Sequence, residues 1–93
     1  MSLFLSEANN NCSDFKADII SSPTECQFAM KHLTEYRNSI IYGGEVFNGA
    51  FPKGCFILLI DSQEIAYWNY HSFGSDNINA RQLCIQNGKY FSL

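Results

Sequence analysis

Charged residues are scarce in this sequence. Asp, Glu, Lys and Arg make up 16% of its 93 residues, against roughly a quarter in an average domain. The six Lys and Arg residues are scattered along the chain, and the formal net charge is −3. Binding to nucleic acid requires a basic patch that contacts phosphate. The composition therefore argues against a nucleic-acid partner.

Long apolar runs are also missing. The longest, Phe56 to Ile60, falls far short of the roughly 18 residues that cross a membrane, so we expect no membrane span. The first residues lack the basic start and apolar stretch of a signal peptide. We expect residues 1–3 to be a remnant of expression and residues 1–11 to form a tail. Residues 12–93 are predicted to form a single small domain.

The cysteine spacing excludes several familiar sites. No C-x-x-C is present, and neither histidine has zinc-finger spacing to a cysteine, so a zinc ribbon or thioredoxin-type motif is not expected. An even number of cysteines in a small, weakly charged chain is typical of a disulfide framework in an extracellular or other oxidising compartment. Four buried free thiols in a cytosolic protein are the alternative. The four cysteines are Cys12, Cys26, Cys55 and Cys84.

One helix has clear local signals. Ser22 is suited to cap its N-terminus, Pro23 to occupy the first helical position, and Glu25 to complete a capping box. Four apolar residues then recur at i, i+3, i+4 and i+7, which makes one buried stripe: Cys26, Ala29, Met30 and Leu33. The pattern predicts a helix from Pro23 to about Tyr36, with Cys26 on its buried face.

The rest of the chain has the pattern of strands and turns. Strands are predicted at 15–20, at 40–42 with a bend or bulge at Gly43-Gly44, at 55–60, at 65–70 and at 82–86. The strand at 55–60 is apolar on both faces and is predicted to be central. Loops are predicted at 48–54, 61–64 and 71–81, and a turn and tail at 87–93. The sequence thus indicates an α+β fold, with one helix packed on an antiparallel sheet of about five strands.

These layers favour one of the three possible disulfide connectivities. Cys26 lies on the helix face that meets the sheet, and Cys55 shares a strand face with Ile57 and Leu59. A helix-to-strand bond between Cys26 and Cys55 follows from this placement. Cys12 and Cys84 flank the terminal strands, and we expect them to pair with each other.

Three segments resemble a small cysteine-containing domain of algal and other protist proteins. They are PTECQFAMKHL, FPKGCFIL and IAYWNYHSFGSDNINARQLC. The shared pattern is a helix that opens with E-C, a P-K-G-C turn, a Y-W-N strand and a closing L-C, and it covers roughly residues 12–85. That family implies no established activity. The arrangement is also similar, more loosely, to the PAN/apple module, which implies recognition of proteins or carbohydrates.

The aromatic strand and the loop after it are the predicted binding site. Alternation along the strand places Tyr67 opposite Trp68 and Tyr70, so one set is expected in the core and the other partly exposed. Trp68 filling the core on the face away from the helix is the alternative. Long polar loops on a rigid scaffold often carry binding sites. The predicted contact residues are Tyr67, Trp68, Asn69, Tyr70, His71, Asp76, Asn77 and Asn79.

Catalytic and metal functions are less well supported. His71 is followed by Ser72, Ser75 and Asp76, but no nucleophile elbow is present and closeness in sequence is not triad geometry. The oxygen-bearing residues near Asp76 and Asp61 do not have EF-hand spacing. We expect no enzyme activity, cofactor or metal. The predicted partner is a protein or carbohydrate ligand; the alternative is a passive structural subunit that contacts neighbouring subunits of a larger assembly.

Overall fold

The computed structural model describes residues 2–6, 11–33 and 40–86. A 3-10 helix and the α-helix α1 are joined to six strands. The strands are β1 (Ser2–Leu5), β2 (Asp18–Ile19), β3 (Ile40–Val46), β4 (Pro52–Ile60), β5 (Gln63–Gly74) and β6 (Ala80–Gln86). The helices are the 3-10 helix Cys12–Phe15 and α1, Pro23–Leu33. The predicted helical residues 34–36 and the predicted tail at 87–93 lie outside the described residues.

Helix α1 begins where the capping residues predict. The backbone N–H of Glu25 donates to the Ser22 hydroxyl at 3.1 Å, and the hydroxyls of Ser21 and Ser22 donate to the Glu25 carboxylate. The predicted stripe is also confirmed: Cys26, Ala29 and Met30 are buried. Among the described residues, no helix is long and apolar enough to span a bilayer.

The sheet is mixed, so the prediction of a purely antiparallel sheet is wrong. Its strand order is β1-β6-β4-β5-β3, and β2 also pairs with β6. Strand β3 runs parallel to β5, while the other pairs are antiparallel. A parallel pair needs a crossover instead of a tight turn, and here β4 and its two flanking turns supply it. The register of β3 shifts between Tyr42 and Gly44, which confirms the predicted bulge.

The N-terminal residues belong to the sheet instead of forming a tail. Strand β1 pairs with β6 from Ser2↔Gln86 to Leu5↔Leu83, and Leu3 and Leu5 pack against the core. The pairing continues at the buried Ser6, whose backbone N–H donates to the Gln82 carbonyl at 2.9 Å. Burial of two leucines therefore recruits a segment that has no clear strand pattern of its own.

Three other boundaries differ from the predicted ones. The predicted strand at 15–20 is reduced to Asp18–Ile19, because the 3-10 helix ends at Lys16 in the left-handed region (φ 55°). The hairpin turn contains only Asp61 and Ser62, both at positive φ, which suits a two-residue hairpin. Strands β4 and β5 are also longer than predicted, since Pro52 pairs with Gly74. The loop after β5 is thereby shortened to 75–79.

Strand β4 is central, as its apolar pattern predicts, and it divides the core between two faces. Cys55 and Ile57 belong to the core cluster under α1, together with Ala66 of β5 and Leu83 of β6. We call this side the helix face. Phe56 points to the opposite side, the outer face, where it is fully buried against the rings of Phe51 and Tyr67.

Each face is covered by a segment that a disulfide attaches. Cys26 of α1 bonds Cys55 on the helix face, and Cys12 of the 3-10 helix bonds Cys84 on the outer face. Both predicted pairings are confirmed. The sheet is thus linked covalently to a helical segment on either side.

Candidate functional site

The predicted contact residues of β5 do not share one surface, because successive side chains of a strand point to opposite faces. Trp68 lies opposite Cys55 on the helix face, and Tyr67 lies opposite Phe56 on the outer face. By the same alternation Tyr70 belongs with Trp68, and Asn69 and His71 belong with Tyr67. Tyr67 is half-buried against Phe56. The five residues therefore do not form one continuous contact surface.

Trp68 is part of the core beneath α1. Its side chain is 8% exposed and packs in the cluster that contains Cys26 and Met30. The sequence pattern predicts Trp68 either in an exposed pair with Tyr70 or in the core on the face away from the helix. Both expectations are wrong, because Trp68 is buried on the helix face. The same cluster contains the small residues Ala29 and Ala66. Trp68 is consequently not available to a ligand in this conformation.

Tyr70 remains exposed at the end of the helix face. Its ring packs edge-on against Trp68, with centroids 6.3 Å apart, and its hydroxyl donates to the Glu45 carboxylate at 2.7 Å. This hydrogen bond is the main cause that raises the pKa of Tyr70 above 10.0. Tyr70 thus links β5 to β3.

Asn69 organises the segment that precedes β4. It is only 1% exposed. Its amide nitrogen donates to the carbonyls of Asn48, Phe51 and Pro52 at 2.8–3.2 Å. Its oxygen accepts from the backbone N–H groups of Asn48 and His71 at 3.1 Å. All its polar capacity is used inside the protein, so Asn69 has a structural role here and offers no contact surface.

His71 also forms hydrogen bonds with the local backbone. Its Nδ1 accepts from the N–H groups of Phe73 and Gly74 at 3.2 and 2.9 Å, which places the ring proton of a neutral imidazole on Nε2. The ring lies 5.2 Å from that of Phe47. A Cβ at position 49 would come within 2.9 Å of Nε2, so Gly49 gives the ring its room.

The predicted loop residues Asp76, Asn77 and Asn79 have different surroundings. Asn77 donates from its amide to the carbonyl of Ala50 at 3.2 Å and accepts from the N–H of Asn79 at 2.8 Å. Asn79 is exposed, and its carbonyl accepts from the N–H of Leu59. Of the eight predicted contact residues, only Asp76 lines the cleft described next.

A cleft of about 630 Å³ opens between the 3-10 helix, β2 and the β5–β6 loop. We call it the polar cleft. Side chains from several segments meet there because β4 begins and β5 ends at this side of the sheet. Its lining residues are Asn11, Cys12, Ser13, Ala17, Asp18, Ile19, Pro52, Lys53, Phe73, Gly74, Ser75, Asp76 and Gln82.

Asn11 and Asp76 form a polar pair at the edge of this cleft. The Asn11 amide donates to both carboxylate oxygens of Asp76 at 3.0 and 3.3 Å. The oxygen of the same amide accepts from the Ser13 hydroxyl and from the Asp14 N–H, so Asn11 also caps the 3-10 helix. The capping interaction fixes the orientation of the amide. The Asp76 carboxylate is exposed to solvent and retains lone pairs for a ligand.

Gln82 holds the buried side of the polar cleft. It is 4% exposed. Its oxygen accepts from the Cys12 N–H at 2.7 Å, and its amide nitrogen donates to the Lys53 carbonyl at 2.6 Å. Gln82 therefore joins the 3-10 helix to the start of β4, and it sets the distance between two sides of the cleft.

Phe73 is the most exposed large apolar side chain that the structure describes, at 86%, and it lies on the rim of the polar cleft. The next residue, Gly74, fixes its position. Gly74 has φ +62°, and a Cβ there would clash with the backbone of Lys53. Close approach of β4 thus requires glycine at this point and leaves Phe73 projecting outward.

Several cleft residues have no strong sequence signal. Asn11, Asp18 and Lys53 come from distant segments, and their convergence depends on the fold. Phe73 has the one usable signal, an isolated aromatic in the polar stretch HSFGSD.

Asp18, Lys53 and Asp76 give the polar cleft two negative charges and one positive charge. Within residues 2–6, 11–33 and 40–86, no group of three His, Cys, Asp or Glu side chains could hold a metal ion.

A second cleft of about 630 Å³ lies between α1 and the edge strand β3. We call it the helix cleft. Burial is the main cause that raises the pKa of Tyr42, which lines it. The Gln27 side chain lowers the pKa of Tyr42, but by less than burial raises it. Among the described residues, no group forms a well-directed hydrogen bond with the buried Tyr42 hydroxyl. Its lining residues are Thr24, Glu25, Gln27, Phe28, Met30, Lys31, Ile40 and Tyr42.

No protein-family model, curated protein or solved structure matches this chain.

Proposed function

We propose that this chain is a non-enzymatic recognition module that binds a saccharide in the polar cleft. The observation that carries the proposal is the exposed Phe73 ring beside the Asn11–Asp76 pair at a concave site. A pyranose has one apolar C–H face and a periphery of hydroxyls. An aromatic ring packs against such a face, and carboxylate and amide groups bind adjacent hydroxyls.

The size and charge of the cleft support a saccharide over a highly charged ligand. A volume of about 630 Å³ is within the usual range for small-molecule sites. With two carboxylates and one ammonium, the lining does not favour strongly anionic groups such as phosphate. The hydroxyls of Ser13 and Ser75 add neutral donors and acceptors.

His71 gives further support to a role without catalysis. Its Nδ1 is engaged by two backbone N–H groups, so it is not placed to receive a proton from a nucleophile as a general base does. The two disulfides are compatible with an oxidising compartment. The same proposal includes an extracellular or lumenal location. It also includes a relationship to the protist cysteine domain or the PAN/apple module.

A glycan array followed by isothermal titration calorimetry tests the proposal. A saccharide that binds the wild type is expected to bind Phe73→Ala and Asp76→Asn at least about tenfold more weakly, which corresponds to about 1.4 kcal/mol each. Phe28→Ala is the matched control, because Phe28 is 77% exposed and lies outside the polar cleft. Circular dichroism checks that the variants fold. An array on which no saccharide binds, or equal binding by all four proteins, would contradict the proposal.

A structural subunit of a larger assembly is the second candidate, and one observation favours it. The outer face has an uncharged apolar strip that crosses β3, β5 and β4, where Ile41 pairs with Ile65 and Ile65 pairs with Leu58. Ile41 is 53% exposed, and Ile60 extends the strip at the hairpin end. Contiguous exposed apolar side chains are typical of protein contacts. If this candidate is correct, Leu58→Ser abolishes assembly while the variants of the polar cleft assemble normally.

A further inference from the structure

The helix cleft and the edge of β3 form a surface that is complementary to itself. Strand β3 ends the sheet: its only pairing partner among the described strands is β5. No proline or lysine, the residues that commonly protect an edge, occurs between Ile40 and Val46. Beside this open edge, Phe28 projects from α1 with 77% of its surface exposed.

The charges on α1 are arranged symmetrically about Phe28. Glu25, Phe28 and Lys31 are spaced three residues apart, so they follow one another along one side of the helix, and all three are exposed. Glu25 and Lys31 both line the helix cleft. In an antiparallel pair of such helices, Phe28 meets Phe28 of the second copy at the centre. Each Glu25 then faces Lys31 of the other copy.

Strand β3 fits the same symmetry. A two-fold axis perpendicular to the sheet places β3 antiparallel to β3 of a second copy, with the two α1 helices antiparallel on the same side. Phe28, Ile40 and Tyr42 line one cleft, so an axis near Phe28 also passes near Ile41. Ile40 then pairs with Tyr42 of the other copy, and the two Ile41 side chains meet on the outer face. This segment precedes the bulge at Gly43-Gly44 and is regular enough to pair.

We propose that two copies of this chain form a two-fold dimer through the β3 edge and the Glu25–Phe28–Lys31 side of α1. Such an interface is isologous, because each copy contributes the same surface. It lies apart from the polar cleft, with which the helix cleft shares no lining residue. The dimer presents two polar clefts, which increases the avidity for a repeated ligand.

Sedimentation equilibrium with charge-reversed variants tests the proposal. Glu25→Lys brings two positive charges together at each of the two helix contacts in the homodimer, and Lys31→Glu brings two negative charges together there. Each variant is expected to dimerise about tenfold or more weakly than the wild type. An equimolar mixture of the two variants is expected to regain dimers, because both contacts then join opposite charges. Recovery in the mixture separates this result from a simple loss of folding.

Two phenylalanine variants complete the test. Phe28→Asp is expected to be monomeric, whereas Phe73→Asp, the matched exposed control, dimerises as the wild type does. A wild type that stays monomeric at millimolar concentration would overturn the proposal and leave this surface to a different protein. Dimers that tolerate both charge reversals and Phe28→Asp would also overturn it. Saccharide binding by Phe28→Asp reports on the polar cleft alone, so the two proposals fail independently.

Discussion

Asn69 shows how one side chain can replace a piece of secondary structure. Residues 48–51 lie outside the strands, and the Asn69 amide forms five hydrogen bonds with backbone groups of this segment, of Pro52 and of His71. Buried backbone groups need such partners, since an unsatisfied one costs about 1–3 kcal/mol. The position of Phe51 over Phe56 therefore depends on a residue that lies 18 positions later in the chain.

We expect Asn69→Ala to lower the free energy of unfolding by at least about 2 kcal/mol, because it leaves several buried groups without partners. Denaturant unfolding measures the change, and amide exchange should accelerate at Asn48 and His71. Asn77→Ala is the control, since the Asn77 side chain bonds one carbonyl outside its own turn among the described residues. A smaller loss for Asn69→Ala than for Asn77→Ala would contradict this account.

Ionisation of Tyr70 makes the free energy of unfolding depend on pH in the alkaline range. The pKa of Tyr70 is raised above 10.0, mainly by its hydrogen bond to Glu45. The folded protein therefore keeps a proton that the unfolded chain loses, and this contribution is fully present below about pH 10. It is lost as the pH rises from there through the pKa of the folded state. Urea unfolding between about pH 9 and about pH 11.5 should show this decline, and Tyr70→Phe should make it shallower. Equal slopes in both proteins would contradict the assignment.

At the scale of elements, α1 shows which sequence patterns predict structure reliably. The i, i+3, i+4, i+7 stripe, the serine cap and the position of Cys26 depend only on residues within one helix, and all three are confirmed. From these and the apolar pattern around Cys55, the pairing of Cys26 with Cys55 could be inferred. Local periodicity was sufficient here because both partners lie on faces that the pattern defines.

The same reasoning fails where partners are chosen by the fold. The direction of β3 relative to β5 depends on the path that β4 takes between them, and nothing in residues 40–46 specifies it. Strand β1 has three apolar residues without alternation, and it forms because β6 has an open edge. The polar cleft draws Asn11, Lys53 and Phe73 from distant segments, so spacing along the chain could not reveal it.

Truncation of a side chain on the buried side of α1 should lower the free energy of unfolding far more than truncation on its exposed side. Met30→Ala is expected to lower the free energy of unfolding by about 2–5 kcal/mol, because it leaves a cavity among Cys26, Ile57 and Trp68. Phe28→Ala should cost far less in dilute, monomeric protein, since Phe28 is mostly exposed. Thermal and urea unfolding of the two variants measure the difference. The reverse order would mean that the opposite side of the helix is buried.

At the scale of the whole molecule, two disulfides supplement a small core. Their sequence separations are 72 for Cys12–Cys84 and 29 for Cys26–Cys55. In the chain-entropy model, these separations correspond to about 4.5 and about 3.5 kcal/mol. Each is similar in size to the net stability expected of a small domain, about 5 kcal/mol. The covalent links therefore decide whether the chain is folded.

We expect the Cys12→Ser, Cys84→Ser double variant to lose more stability than the Cys26→Ser, Cys55→Ser one, by about 1 kcal/mol in the same model. Denaturant unfolding of both gives the comparison. Thiol titration of the denatured, unreduced wild type should detect no reactive cysteine. Four reactive thiols in protein from an oxidising compartment would contradict the disulfide framework.

The Cys12–Cys84 bond also has a mechanical consequence. Its two cysteines lie near opposite ends of the described chain, so tension applied outside them is carried by the sulfur–sulfur bond and bypasses the central strands. Pulling can detach β1 from β6, but it cannot extend the 72 positions between the cysteines. That length corresponds to roughly 250 Å of extended chain. Under load, the part of the chain between the two cysteines would therefore stay short, and it would extend only after a reductant cleaves that bond.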